Sequence, residues 1–169
     1  IDLSKKDAAQ HVFDMVKKQK KQVEILVNNA GFGDYSLFIK SDWDKLQDMI
    51  NLNVATLTHL CHLFAPLFEK QHSGKILNVA STAAFIPGPH MAVYHATKAY
   101  VLNFTEALAE ELKDSGVSVT ALCPGPTKSN FSKYAKMKGV ALFERKLPEA
   151  IEVAEFGYDA MMEGKRVAI

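Results

Sequence analysis

Tyr94 and Lys98 stand four residues apart, a spacing that sets both on one helix face, one turn from each other. There the ammonium can stabilise a phenolate and lower the tyrosine pKa toward the range that general acid/base work needs near neutral pH. The apolar stripe through Val101, Thr105, Leu108 and Leu112 continues backward onto Lys98 and Tyr94, and an unpaired ammonium on a buried face is costly unless it has a task. Ser81 places a hydroxyl at the carboxyl end of an expected strand, where it can hydrogen-bond a substrate oxygen. Asn53 puts a carboxamide on a second apolar stripe, between Ile50 and Leu57, where it should not be left unpaired. Each has an ordinary explanation alone: chance occurrence of Tyr-x-x-x-Lys, a turn serine, a core or kink hydrogen bond. Converging on one crevice, the four point to proton transfer at a substrate oxygen.

The elements that must hold these residues follow from hydrophobic periodicity. Residues 4–20, opened by a Ser4 N-cap, carry Ala8, Val12, Met15 and Val16 on one stripe and predict a helix. The apolar run 23–27 reads as a buried strand ending at Asn28-Asn29-Ala30-Gly31. A second helix is expected from Ser41 or Asp42 to about Lys70, bent at Pro66. A strand over 75–80, a helix over 91–113 closed by Gly116, and a strand over 117–123 ended by Pro124-Gly125-Pro126 come next. A short helix over 129–137, a helix opened by Pro148 and ended by Gly164, and a last strand fragment complete the pattern. Strands alternating with helices imply parallel pairing through right-handed crossovers, hence a doubly wound α/β sheet forming one domain, residues 1–169. Ligands of such sheets bind outside the carboxyl ends of the strands. Residues 28–31, 80–82 and 123–127 are therefore the privileged positions.

Composition narrows the class. With 20 basic and 19 acidic residues the formal net charge is +1, which provides no large field for a nucleic acid or an anionic membrane. The basic run Lys17, Lys18, Lys20 and Lys21 sits near a helix end, where cations suit the dipole. No apolar run is long enough to cross a bilayer, and Cys61 and Cys123 suggest neither a disulfide framework nor a metal site, so a reduced, cytoplasmic setting is expected. His59 and His62 lie three apart on a helix but lack a third ligand at a recognisable spacing. His95 is read as a bystander pointing away from Tyr94.

The chain resembles a classical short-chain dehydrogenase/reductase. The resemblance rests on Asn28-Asn29-Ala30-Gly31, Asn53 within Asn-Leu-Asn-Val, Ser81 thirteen residues before Tyr94, Tyr94-His95-Ala96-Thr97-Lys98, and Pro124-Gly125. It covers essentially the whole chain and implies a Rossmann-like fold and an NADP- or NAD-dependent oxidoreductase acting on a small carbonyl or alcohol substrate. NADP is slightly favoured by likeness to small reductases containing Asn-Ala-Gly-Phe-Gly. By the same resemblance Tyr94 exchanges the proton, Ser81 orients the substrate oxygen, and Lys98 lowers the tyrosine pKa and binds the nicotinamide ribose. Asn53 would hold a water linking Lys98 to solvent. Asp2 and Leu3 would meet the adenine, Asn29, Ala30 and Gly31 the adenosine ribose, and Pro124, Gly125 and Thr127 the carboxamide region, with no metal required. A homodimer or homotetramer paired through the long helices is implied too.

The family's Gly-rich strand-to-helix turn has no counterpart here. The chain therefore reads as a piece of a longer enzyme, incomplete at both ends, with exposed apolar sheet edges and no expected activity in isolation. Phe131, Tyr134, Met137, Val140, Leu142 and Phe143 fall where the family places a lid, and their apolarity hints at an apolar substrate. Phe85, His90 and Met91 would flank the pocket. Competing readings are a nucleotide-sensing or scaffold protein of the same fold and a nucleotide-sugar epimerase. The first has no need of an acid/base tyrosine, and Asn28 to Gly31 with Pro124-Gly125 disfavour the second.

Overall fold

A computed structural model describes residues 1–135, 137 and 146–169. Four parallel strands, β1 (Ile25–Asn28), β2 (Gly74–Val79), β3 (Val117–Leu122) and β4 (Val167–Ala168), pair in the order β1-β2-β3-β4. Leu77 of β2 lies beside Val27 and Thr120, and Ala121 beside Val167. The helices are α1 (Ala8–Lys18), α2 (Trp43–Ile50), α3 (Leu57–Gln71), α4 (Ala92–Glu111), α5 (Phe131–Tyr134) and α6 (Ala150–Met162).

Alternation along the strands divides the core. Ile76 and Ala80 of the β2 segment, with Val119 and Ala121 of β3, face α3 and α4, where Leu60, Phe64, Phe68 and Val101 close the main core. Leu77 and Leu122 face the other way, onto Ala160 and Met161 of α6. The strand order advances steadily while α6 occupies the face opposite α3 and α4. The last crossover consequently has the opposite hand to the two before it, so the expectation of right-handed crossovers throughout is corrected. Helix α6 is held there by close packing: a Cβ on Gly157 would press on a Leu122 methyl at 2.5 Å.

Several local expectations change for identifiable reasons. The single helix over residues 42–70 is α2 and α3 joined by a π-helical segment, Asn51–Thr56, and Pro66 lies inside α3 without ending it. Ser4 does not cap α1. Its N–H and hydroxyl both donate to the Asp2 carboxylate, at 3.0 and 2.8 Å, and the helix begins after Asp7, which has φ 63°. Met15, expected on the packed stripe, is exposed. Pro148 precedes the cap of α6 rather than opening the helix; Glu149 and Glu152 form a reciprocal capping box there. Gly164 ends α6 as expected, with its own N–H bonded to the Met161 carbonyl and the Lys165 N–H to that of Ala160. At the edge of the sheet, Ile25 and Val27 of β1 are 38% and 50% exposed. No helix among the described residues is long and apolar enough to cross a membrane.

Gly116 is not the C-cap of α4, which ends at Glu111; it lies in the following turn with φ 81°. A Cβ there would sit on the His72 carbonyl at the end of α3. Gly116→Ala therefore combines a disfavoured backbone region with a backbone clash. It should destabilise the fold by about 1–3 kcal/mol, read as a lowered urea midpoint at constant m-value.

Candidate active site

The carboxyl ends of β1, β2 and β3 converge on α4. Ser81 follows β2 and caps a short 3-10 turn, Thr82–Phe85, by accepting the Ala83 N–H on Oγ at 3.1 Å. The Pro124 carbonyl beyond β3 holds this corner by accepting the Thr82 N–H at 3.0 Å. Tyr94 and Lys98 lie in the first two turns of α4, only 8% and 6% exposed. Lys98 Nζ is 5.9 Å from the centre of the Tyr94 ring and donates to the Val79 carbonyl at 2.6 Å. The buried-face ammonium is thus partnered by a strand carbonyl left free by the end of the β2 ladder.

Burial dominates the acidities. It pushes the Tyr94 phenol above its ordinary value, while hydrogen bonding to Ser81 works in the other direction. It also brings Lys98 down to about 8, with the nearby Cys123 thiol opposing. Burial thus outweighs the lowering expected from Lys98, and the net direction for the phenol is upward.

Asn53, in the π-helical segment, is almost fully buried, and its carboxamide is engaged on both sides. Oδ1 accepts the Phe32 N–H at 3.1 Å, and Nδ2 donates to the Phe32 carbonyl at 2.9 Å and to Thr97 Oγ1 at 3.1 Å. Gly31 sits directly above: a Cβ would lie 3.0 Å from Asn53 Oδ1 and 3.5 Å from Lys98 Nζ. Gly31, Asn53 and Lys98 therefore line one cradle that any side chain at position 31 would fill.

Asn29, Ala30 and Gly31 are exposed at the end of β1. Gly125 has open space where a side chain would stand, and Thr127 donates to its carbonyl at 3.0 Å. Asp2, tied to Ser4, has its pKa held below the ordinary carboxylate value by those hydrogen bonds. The Leu3 carbonyl accepts from Thr56 Oγ1 at 2.8 Å, fastening the segment to the π-helical turn.

On the other side of Tyr94, Phe131 packs its ring 5.3 Å from the phenol ring. Gly33 closes the wall, since a Cβ there would meet Phe131 at 2.9 Å, Met91 at 3.0 Å and Tyr94 at 3.2 Å. His90, at φ 66°, stacks on Tyr35 at 5.1 Å, and Phe85 is half exposed. Val140, Leu142 and Phe143 lie outside the described residues. Among the described residues no cluster of His, Cys, Asp or Glu could hold a metal ion. Cys61 and Cys123 are buried and unbridged.

Three features escape sequence reasoning. Gly33 is needed for the approach of three side chains; Asp34 is buried in an ion pair with Lys45; and the His95 ring packs on the loop before α4. The Gly-Phe-Gly-Asp run is a signal for the first two, because a buried aspartate next to close-packed glycines marks a fixed loop.

Comparison with known proteins identifies the family and the fold. A family model described as short chain dehydrogenase matches residues 1–138. A 3-oxoacyl-[acyl-carrier-protein] reductase from Synechocystis is 36% identical over 104 residues, 62% of this chain and 42% of that protein. The 17-beta-hydroxysteroid dehydrogenase type 3 of Mus musculus is 28% identical over 153 residues, 88% of this chain and 50% of that protein. The chain thus spans about half the length of these relatives. A short-chain dehydrogenase from Sphingobium yanoikuyae, solved in complex with NADPH, superposes with a TM-score of 0.88 at 28% identity. That match covers 99% of this chain and 64% of the other.

Asn53→Ala would leave the Phe32 backbone groups without their partner. It should lower stability by about 1–3 kcal/mol in urea denaturation, with amide exchange at Phe32 accelerated more than in the sheet.

Proposed function

Because this chain belongs to the short chain dehydrogenase family, we propose that its site interconverts a carbonyl and an alcohol, with Tyr94 as the acid/base. The observation that carries this reading is the grouping of a buried phenol, a serine hydroxyl whose influence draws the phenol pKa downward, and a buried ammonium 5.9 Å from its ring. A nicotinamide dinucleotide, as bound in the Sphingobium yanoikuyae relative, supplies the hydride, NADPH being favoured. Asn29, Ala30 and Gly31 are proposed to line its adenosine ribose, Asp2 and Leu3 its adenine, and Pro124, Gly125 and Thr127 its carboxamide end. The exposed Gly31 backbone beside the Lys98 ammonium suits a ribose hydroxyl, whose approach a side chain at position 31 would crowd.

In reduction the substrate oxygen lies against Ser81 and Tyr94. Ser81 fixes its direction, and Tyr94 gives it a proton as negative charge develops. A phenol raised by burial is protonated at neutral pH and ready for that step. Lys98 stabilises the phenolate left behind and meets the ribose. Both Asn53 Nδ2 protons are given to Phe32 and Thr97, so a water it holds for Lys98 would donate to an Asn53 oxygen, either the remaining lone pair of Oδ1 or the backbone carbonyl. The apolar wall of Phe131, Met91 and Tyr94 suits a ketone with an apolar body. The proposed oligomer pairs through α3 and α4, whose surface carries Tyr100, bonded to Thr58 at 3.1 Å.

The test follows NADPH absorbance over a panel of ketones with the full-length protein. Tyr94→Phe should retain cofactor affinity and lose at least about a hundredfold in kcat; undiminished turnover would overturn the assignment. Lys98 is charged below about 8 and neutral above it. The reductive kcat/KM should therefore fall as pH rises through that value. In Lys98→Arg, whose guanidinium does not titrate there, that limb should disappear from whatever activity remains.

A further inference from the structure

We propose that His95 is a positioning residue that clamps the loop between Ser81 and Tyr94 onto the first turn of α4, and so sets the spacing of those two groups. The inference rests on the function proposed for Tyr94 and adds a residue to it. Two independent contacts support it. His95 Nδ1 lies 2.7 Å from the Ile86 carbonyl; a carbonyl can only accept, so Nδ1 carries the proton and donates. Gly88 lies flat against the same ring, and a Cβ on it would land on Nε2 and Cδ2 and come within 2.5 Å of Cε1. The glycine is required by this approach of backbone to imidazole, not by a left-handed conformation, since its φ is not in that region.

The loop held in this way is the direct covalent connection between the two groups. Ser81 caps its first turn, Phe85 and Ile86 stand half exposed along it, and Met91, whose N–H donates to the Gly88 carbonyl at 3.0 Å, leads into Tyr94. The His95 N–H in turn donates to the Met91 carbonyl at 3.0 Å. Residue 95 thereby grips the loop from its backbone and from both sides of its ring. Its ring stands edge-on to Tyr94 at 6.0 Å, and its hydrogen-bonding edge is occupied by Ile86. It acts on the reaction through the loop, without taking part in proton transfer. Displacements of about 1 Å at a reacting group can cost two orders of magnitude in rate, so the clamp has a kinetic consequence.

The substitutions His95→Ala, His95→Asn and His95→Gln separate the roles. The Asn amide nitrogen can occupy the place of Nδ1, whereas that of Gln extends toward the place of Nε2. In the full-length enzyme, His95→Ala should reduce ketone kcat by roughly tenfold or more with NADPH affinity unchanged. Asn should restore most of it and Gln should not. A stability cycle gives a second reading that needs no activity. Gly88→Ala alone should lower Tm by roughly 3–10 °C, but by little in the His95→Ala background, because the ring it collides with is gone. Parental kcat in His95→Ala, or equal rescue by Asn and Gln, would overturn the proposal, as would an additive cycle. If Tyr94→Phe keeps its turnover, the proposed function fails instead, and the cycle still reports whether the clamp exists.

Discussion

The site depends on one carboxamide. Asn53 satisfies both backbone groups of Phe32 and reaches Thr97, whose hydroxyl donates onward to the Tyr94 carbonyl at 2.7 Å. A single side chain thereby couples the turn after β1, the helical path from α2 to α3, and the helix bearing Tyr94 and Lys98. The π-helical segment accompanies this placement: widened turns of this kind are frequently found at functional sites. Gly31 follows as a consequence, since the amide oxygen and the Lys98 ammonium already occupy the space around its missing side chain.

A second polar chain runs deeper along the same axis. Asn28 Nδ2 donates to Asn78 Oδ1 at 2.8 Å, Asn78 Nδ2 to Thr105 Oγ1 at 3.0 Å, and Thr105 to the Val101 carbonyl at 2.6 Å. These bonds cross from β1 to β2 to α4 inside the main core, with the Cys61 thiol against the two amides and pushed up to about 11 by burial. Buried amides are tolerable when their partners are supplied, and they then restrict the core to one register. The strands cannot slide relative to α4 without breaking bonds that have no water to replace them. The positions of Ser81, which follows β2, and of Tyr94 on α4 are fixed by the same constraint.

The strands, the long helices and the convergence of Ser81, Tyr94, Lys98 and Asn53 were legible because each left a local trace: a short apolar run, a stripe, or a polar group on an apolar face. What was hidden depended on distant partners. The stripe through Ile50, Leu57 and Leu60 tolerates a widened turn, so nothing local marked the π-helical segment. Ser4 looked like a cap because its competing acceptor, Asp2, only becomes one when the chain bends back. The hand of the last crossover follows from which face of β3 receives α6, and short apolar strands look alike from both faces. The contacts of His95 were hidden because helix geometry fixes its direction from Tyr94, while its partners, Ile86 and Gly88, come from an irregular loop that periodicity does not describe.

Burial acts on Tyr94 and Lys98 in opposite directions, and that opposition shapes the chemistry. Removing water favours the neutral form of each, so the phenol holds its proton more firmly and the ammonium less. Were burial alone at work, the pair would lose the charge that makes it useful. Two contacts counter it with unequal reach. The Val79 carbonyl accepts from Lys98 at 2.6 Å, which favours the charged amine. Ser81 offers the phenol a hydrogen bond that would strengthen on ionisation. Below about pH 8 the site accordingly combines a protonated phenol with a charged amine, the state suited to donating a proton to an oxygen that gains charge. The phenolate that the opposite direction requires is disfavoured by burial, a cost that the Lys98 charge beside the ring would have to offset. For the function proposed above, this ionisation state matches the step in which Tyr94 gives up its proton.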